Sequence, residues 1–155
     1  LSTATVSIVG QNYGAKQYWR VFETYKKGIK IGVIVLSLLG LIIFLTAEVA
    51  MNLFTDNANV KQYGSDYLKI SALMFPAFPF FFIGNATFQG LKKAIIVMYM
   101  AIMRFVLMPL ILVSIIIYQI GENYNLIFFS LAAMHWIIGL SYYYYCNKKY
   151  KTILN

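Results

Sequence analysis

Hydrophobic positions in this chain do not alternate with polar ones; they arrive in long runs separated by short polar clusters. Residues 31–47 (IGVIVLSLLGLIIFLTA) carry no charge, and the apolar pattern continues through Glu48 to Leu53. Residues 70–91 give 22 uncharged positions, 94–121 give 28 with only Arg104 charged among them, and 123–147 give 25 that include His135. A hydrocarbon core of about 30 Å takes about 20 residues of helix, so the runs predict transmembrane helices over 31–53, 67–91, 94–119 and 124–146. Residues 1–15 are uncharged but short, and 1–14 are expected to be a truncated helix whose beginning lies outside the chain. The expected fold is an all-α integral membrane protein with four complete transmembrane helices plus the end of a fifth.

The pattern changes between Ala15 and Lys30. Tyr18, Phe22, Tyr25 and Ile29 recur at helical spacing while Lys16, Arg20, Glu23, Lys26, Lys27 and Lys30 take the remaining surface. That predicts a basic amphipathic helix over 15–30, lying in the cytoplasmic headgroup layer against anionic lipid. The loop TDNAN at 55–59 has turn chemistry, and Ser65 or Asp66 is the expected cap of a helix beginning near Tyr67. Upstream, Thr3, Ser7, Gly10 and Gly14 form a row of small residues, so Gly10-x-x-x-Gly14 is expected to pack a neighbouring helix closely. Gly14 as a simple helix terminator is the other structural reading, and both rank above ligand contact by Gln11 or Asn12.

Composition and charge sharpen the picture. With 61% hydrophobic residues, 12% charged and a mean hydropathy of +0.69, there is too little polar surface to cover a water-soluble core. If the helices alternate in direction, ten cations fall on one side (Lys16, Arg20, Lys26, Lys27, Lys30, Lys92, Lys93, Lys148, Lys149 and Lys151) and two, Lys61 and Lys69, on the other. The positive-inside rule makes the rich side cytoplasmic and places the C-terminus there. The run YYYYC at 142–146 suits the aromatic belt at a headgroup boundary. The net charge of +8 therefore marks membrane orientation, and no nucleic-acid partner is expected. A single cysteine, Cys146, excludes an intrachain disulfide, and neither a metal-ligand spacing nor a convergent catalytic set is present. No catalytic residue, metal or resident cofactor is expected, and no phosphate-binding loop suggests nucleotide hydrolysis.

Candidate chemistry lies within the spans. Arg104 sits about ten residues into its helix, about 15 Å deep at about 1.5 Å per residue, where exposure to lipid costs about 2.5 kcal/mol or more. It should face the protein interior or a wet cavity, either as a pathway residue or as a pin on carbonyls freed by Pro109. His135, about midway along the last run, can titrate near neutral pH, but a buried histidine bonded to a neighbouring helix is the commoner arrangement. Pro76 and Pro79 in FPAFPFFF should kink or unwind their helix. The phenylalanines that follow either form a substrate-facing wall or meet lipid. Asn85, Thr87 and Gln89 supply the polar groups of that span, which has no acid. Glu48 and Asp66, near outer ends, are expected to be hydrated surface groups.

The run TATVSIVGQNYGAKQYWRV, then LFTDNANVKQYGSDYLKI, and FQGLKK followed by RFVLMP at 104–109, taken in this order and spacing, resemble the second half of a MATE (multidrug and toxic compound extrusion) transporter over nearly the whole chain. The resemblance implies helices eight to twelve of a twelve-helix, two-lobe protein. It implies ion-driven antiport of organic, often cationic drugs or toxic compounds against protons or sodium ions, in a cell membrane such as the bacterial inner membrane. The partners implied are membrane lipid, a small organic substrate and the missing N-terminal lobe of the same chain. Some family members carry an acid in the tenth helix; residues 70–90 have none, so a carboxylate elsewhere would hold the coupling ion. Arg104, Asn85, Gln89 and His135 become the pathway candidates. A lipid-linked oligosaccharide flippase of the same broader superfamily is the alternative, distinguished by basic residues lining a large cavity.

Overall fold

The computed structural model describes residues 1–115 and 124–154, and every regular element among them is helical. In chain order these are α1 (Ser2–Gly14), α2 (Tyr18–Phe54), α3 (Ala58–Ala72), α4 (Phe78–Gly90), α5 (Ala94–Ile102), α6 (Met108–Ile115) and α7 (Tyr124–Leu154). A 3-10 turn, Phe75–Ala77, joins α3 to α4, and a π turn, Met103–Leu107, joins α5 to α6. Among the described residues, Tyr18–Phe54, Ala58–Gly90, Ala94–Leu112 and Asn125–Tyr150 are long and apolar enough to cross a membrane. Their outer faces expose Ile34, Leu38, Leu41, Leu45, Ile95, Phe105 and Ile111. An apolar exterior of that kind is stable in lipid and unstable in water. Residues 116–119 of the expected span 94–119 lie outside the described residues.

The expected separate helix over 15–30 is corrected. Residues Tyr18–Phe54 form one continuous helix of 37 residues, about 55 Å at about 1.5 Å per residue against about 30 Å of hydrocarbon. The basic segment is the straight continuation of the span. Its apolar stripe is real, but it meets protein instead of headgroups. Val21, Tyr25 and Ile29 are buried, and the Tyr25 ring lies 4.8 Å from that of Tyr150 at the far end of α7. Phe22 approaches Tyr150 as well, at 6.4 Å. The tyrosine run of α7 is divided between two faces. Tyr142, Cys146 and Tyr150, four residues apart, turn inward and are buried, while Tyr144 is 71% exposed and Tyr143 and Tyr145 are partly so.

The chain enters α3 earlier than the expected cap near Tyr67. Asn57 caps it, its Oδ1 accepting from the backbone N–H groups of Asn59 and Val60 at 3.0 and 3.3 Å. Ser65 is buried inside the helix. The two prolines then disrupt the ladder, and the carbonyls around them turn to other contacts. Ala72 O, which Pro76 cannot serve, lies 2.8 Å from where a Cβ on Gly40 would stand, so only glycine fits there. Ala77 N–H turns to Met74 O, and the Trp136 indole of α7 donates to Leu73 O at 2.9 Å. Phe75 O, the carbonyl opposite Pro79, accepts from Phe78 N–H. The kink is thereby tied to α2 and α7.

Close helix packing is not where the first glycine pair predicted it. A Cβ on Gly14 would meet nothing within 4 Å, and one on Gly10 would only reach ordinary contact with Gly90 O at 3.7 Å. Gly28-x-x-x-Gly32 on α2 carries the tight contacts instead: a Cβ would come 3.0 Å from Cγ2 of Ile83 at Gly28 and 2.8 Å from Cβ of Pro79 at Gly32. On α4, Gly90 admits Val9 and the Val6 carbonyl of α1, at 2.7 and 2.8 Å from its would-be Cβ.

Helices α1 and α4 end in the same motif. After α1, Lys16 N–H bonds Tyr13 O and Gln17 N–H bonds Asn12 O; after α4, Lys92 N–H bonds Gln89 O and Lys93 N–H bonds Phe88 O. These are Schellman closures, with Lys16 (φ 57°) and Lys92 (φ 58°) in the left-handed position that usually belongs to glycine.

Candidate functional site

Helices α1 and α4, with Phe105 from the π turn, enclose a groove of about 640 Å³. Ser2, Thr3 and Ser7 contribute hydroxyls from α1, and Asn85 and Gln89 contribute amides from α4. Phe81, Phe82 and Phe105 form its apolar wall. The small-residue row of α1 thus serves the groove through Thr3 and Ser7, while α1 packs through Thr5 and Val9. Spacing of four identifies a helix face but not what it faces. Among the described residues, none that lines this groove is charged.

Asn85 is oriented from α7. The Tyr142 hydroxyl donates to its Oδ1 at 2.7 Å, leaving the amide N–H groups as the donors available to the groove. Gln89, one helical turn on, is exposed on the same face. A donor and a flexible amide beside an aromatic wall suit an amphipathic organic molecule: the rings supply contact area and the polar groups fix orientation.

Arg104 stands behind the wall. It is 6% exposed, with its guanidinium carbon 4.2 Å from the ring centroid of Phe81 and 5.2–5.4 Å from those of Phe82, Phe78 and Phe105. Among the described residues it forms neither an ion pair nor a side-chain hydrogen bond, so the expected pin on carbonyls freed by Pro109 is not what the structure shows. Cation–π contact is worth about 0.5–2 kcal/mol per ring, and four rings together can offset an intramembrane charge penalty of about 2.5 kcal/mol or more. Pro109 acts one step further along. It lies at the second position of α6, and the ladder ahead of it widens into the π turn, with Met108 N–H bonding Met103 O.

His135 is half-buried, and its Nδ1 bonds Leu131 O at 2.8 Å on its own helix. A carbonyl only accepts, so Nδ1 carries the proton. The histidine is therefore bonded within its own helix and not to the neighbouring helix expected from the sequence. Its ring packs edge-on against Phe78 at 5.5 Å, outside the groove lining. Asn85 and Gln89 are brought together, then, with Arg104 one ring away and His135 beyond Phe78. Pro76 and Pro79 shape α4 without entering the groove wall. A second groove, at the opposite ends of α2 and α3, holds Glu48 and Asp66 with Lys61 and Lys69, and Glu48 pairs with Lys69.

The MatE family model matches residues 1–115, well over half of the 155 residues. The chain belongs to the MATE family. The fold of this MATE chain is similar to a solved structure described as the inward-facing conformation of a multidrug resistance MATE family transporter of the MOP superfamily. The TM-score is 0.90 and the identity 18%, over 97% of this chain and 35% of that one. The MATE chain therefore spans about a third of that transporter's length, and at this identity the likeness is one of fold. No curated protein matches it.

Proposed function

We propose that this chain forms part of one lobe of a secondary antiporter that exports organic, cationic drugs or toxic compounds in exchange for protons or sodium ions. The groove between α1 and α4 is the observation that carries this reading: hydroxyls, the amides of Asn85 and Gln89, and phenylalanines share one open wall. In the proposal that wall is this lobe's side of a central cavity, and alternating access comes from two lobes rocking around it. Because the described residues of the groove lining include no carboxylate, the counter-charge for a cation and the coupling-ion site are assigned elsewhere in the transporter. The setting is a multi-pass cell membrane, such as the bacterial inner membrane, with the C-terminus cytoplasmic. The protein carries out no covalent chemistry. A lipid-linked oligosaccharide flippase would call for basic side chains on the groove surface, and Arg104 is withheld behind its rings.

The test is dye retention in a pump-deficient cell. The full-length transporter should lower accumulation of an amphipathic cationic dye, and an uncoupler or sodium withdrawal should abolish the effect. Efflux that follows ATP with ion gradients collapsed would overturn the antiport reading.

A further inference from the structure

Two observations meet at the phenylalanine wall. Arg104 is a charged side chain more than nine-tenths buried, with no carboxylate or hydrogen-bonding partner among the described residues and with Phe78, Phe81, Phe82 and Phe105 around its guanidinium. Three of those rings, Phe81, Phe82 and Phe105, also line the open groove. A cage of aromatic faces is a binding site for a cation whether or not that cation is covalently attached.

We propose that the cage is a cation site shared between the protein's own guanidinium and the cationic group of a ligand entering the groove, with Arg104 acting as a tethered competitor. This deepens the reading of the groove as a substrate wall and rests on it. The two charges cannot occupy the same rings together, since like charges a few ångströms apart in a medium of low dielectric repel strongly. Binding a cation therefore requires Arg104 to withdraw, and the backbone supplies a means. Arg104 is the second residue of the π turn Met103–Leu107. A π turn holds one residue more than an α turn, and conversion to α geometry rotates the residues on one side by about 100° around the axis. The exchange links occupation of the groove to a register change in the helix that runs on through Pro109. An apparent affinity lowered by an internal competitor also favours release.

The test measures binding of tetraphenylphosphonium and of triphenylphosphine oxide, a neutral relative, to the full-length transporter in nanodiscs. Arg104→Met should tighten phosphonium binding at least tenfold and change oxide binding less than twofold. The double variant Arg104→Met with Phe81→Leu should lose most of the gain. Should Arg104→Met fail to give monodisperse protein, Arg104→Lys serves, because a compact ammonium stacks less well on rings; phosphonium binding should then tighten severalfold. Unchanged or weakened phosphonium binding in the folded variant, or a gain that survives Phe81→Leu, overturns the shared cage. Absence of ion-driven phosphonium efflux by the wild type, with the binding shift present, would remove the antiporter reading and leave the cage standing.

Discussion

Gly90→Ala places a methyl group 2.7 Å from Cγ1 of Val9, 2.8 Å from Cβ of Val9 and 2.8 Å from the Val6 carbonyl oxygen. The first of these can move; the carbonyl belongs to the backbone of α1 and cannot without shifting the helix. Overpacking of this kind typically costs about 1–3 kcal/mol, while replacing a helical glycine by alanine returns up to about 1 kcal/mol of propensity. Gly14→Ala is the internal control. Both glycines are the last helical residue before a Schellman closure with lysine in the left-handed position, yet a Cβ on Gly14 meets nothing within 4 Å. Propensity therefore cancels between the two variants, and their difference isolates the contact of α4 with α1 at about 1–3 kcal/mol. In soluble domains of 150–250 residues each kcal/mol moves the midpoint by about 2–4 °C, and less in a longer chain, so Gly90→Ala should melt a few degrees below Gly14→Ala. The assay is thermal unfolding of the full-length transporter in detergent, followed by tryptophan fluorescence. Equal midpoints for the two variants, or a Gly14→Ala melting below Gly90→Ala, would refute the assignment of tight packing to Gly90.

Two further outcomes are expected. A cysteine at Ala58 in the full-length protein should react with an impermeant reagent from outside intact cells, and cysteines at Gln17 or Thr152 only after permeabilisation. The native Cys146 is buried and contributes no background; labelling at position 17 from outside would reverse the orientation, and Asn123, which the charge pattern also puts outside, is not among the described residues. Trp136→Phe should lower stability by about 0.6–1.7 kcal/mol, the range for hydrogen bonds between membrane helices, because Leu73 O loses its indole donor. Trp19→Phe, at a residue 64% exposed, should not; equal loss in both would count against a kink tied to α7.

Much of the architecture was legible in the sequence because a bilayer imposes one coarse rule: backbone polar groups must be satisfied within the segment, so long uncharged runs become helices. The family followed from the order of VGQNYGAK, TDNAN, FQGLKK and RFVLMP, and it is borne out by the family match over residues 1–115. Asn85 and Gln89, as polar groups in an apolar run, were visible as candidates, and they do share a groove.

What the linear pattern did not carry is the identity of the neighbour. The amphipathic stripe of Tyr25 and Ile29 reads the same whether it meets headgroups or the tyrosines of α7, and only the docking of Tyr150 against Tyr25 decides between them. Gly10-x-x-x-Gly14 and Gly28-x-x-x-Gly32 are equivalent as spacings; the second is packed because Ile83 and Pro79 stand opposite it, about fifty residues away in sequence. The same holds for Arg104. That a charge within the membrane needs a partner follows from the sequence and the cost of burial. That the partner is a cage of phenylalanines from α4 and the π turn follows only from the fold, which brings residues 78–82 around residue 104. Periodicity is a property of one helix, whereas a contact belongs to two, and the kink at Pro76 and Pro79 that aims those rings is held by groups on helices the local sequence does not name.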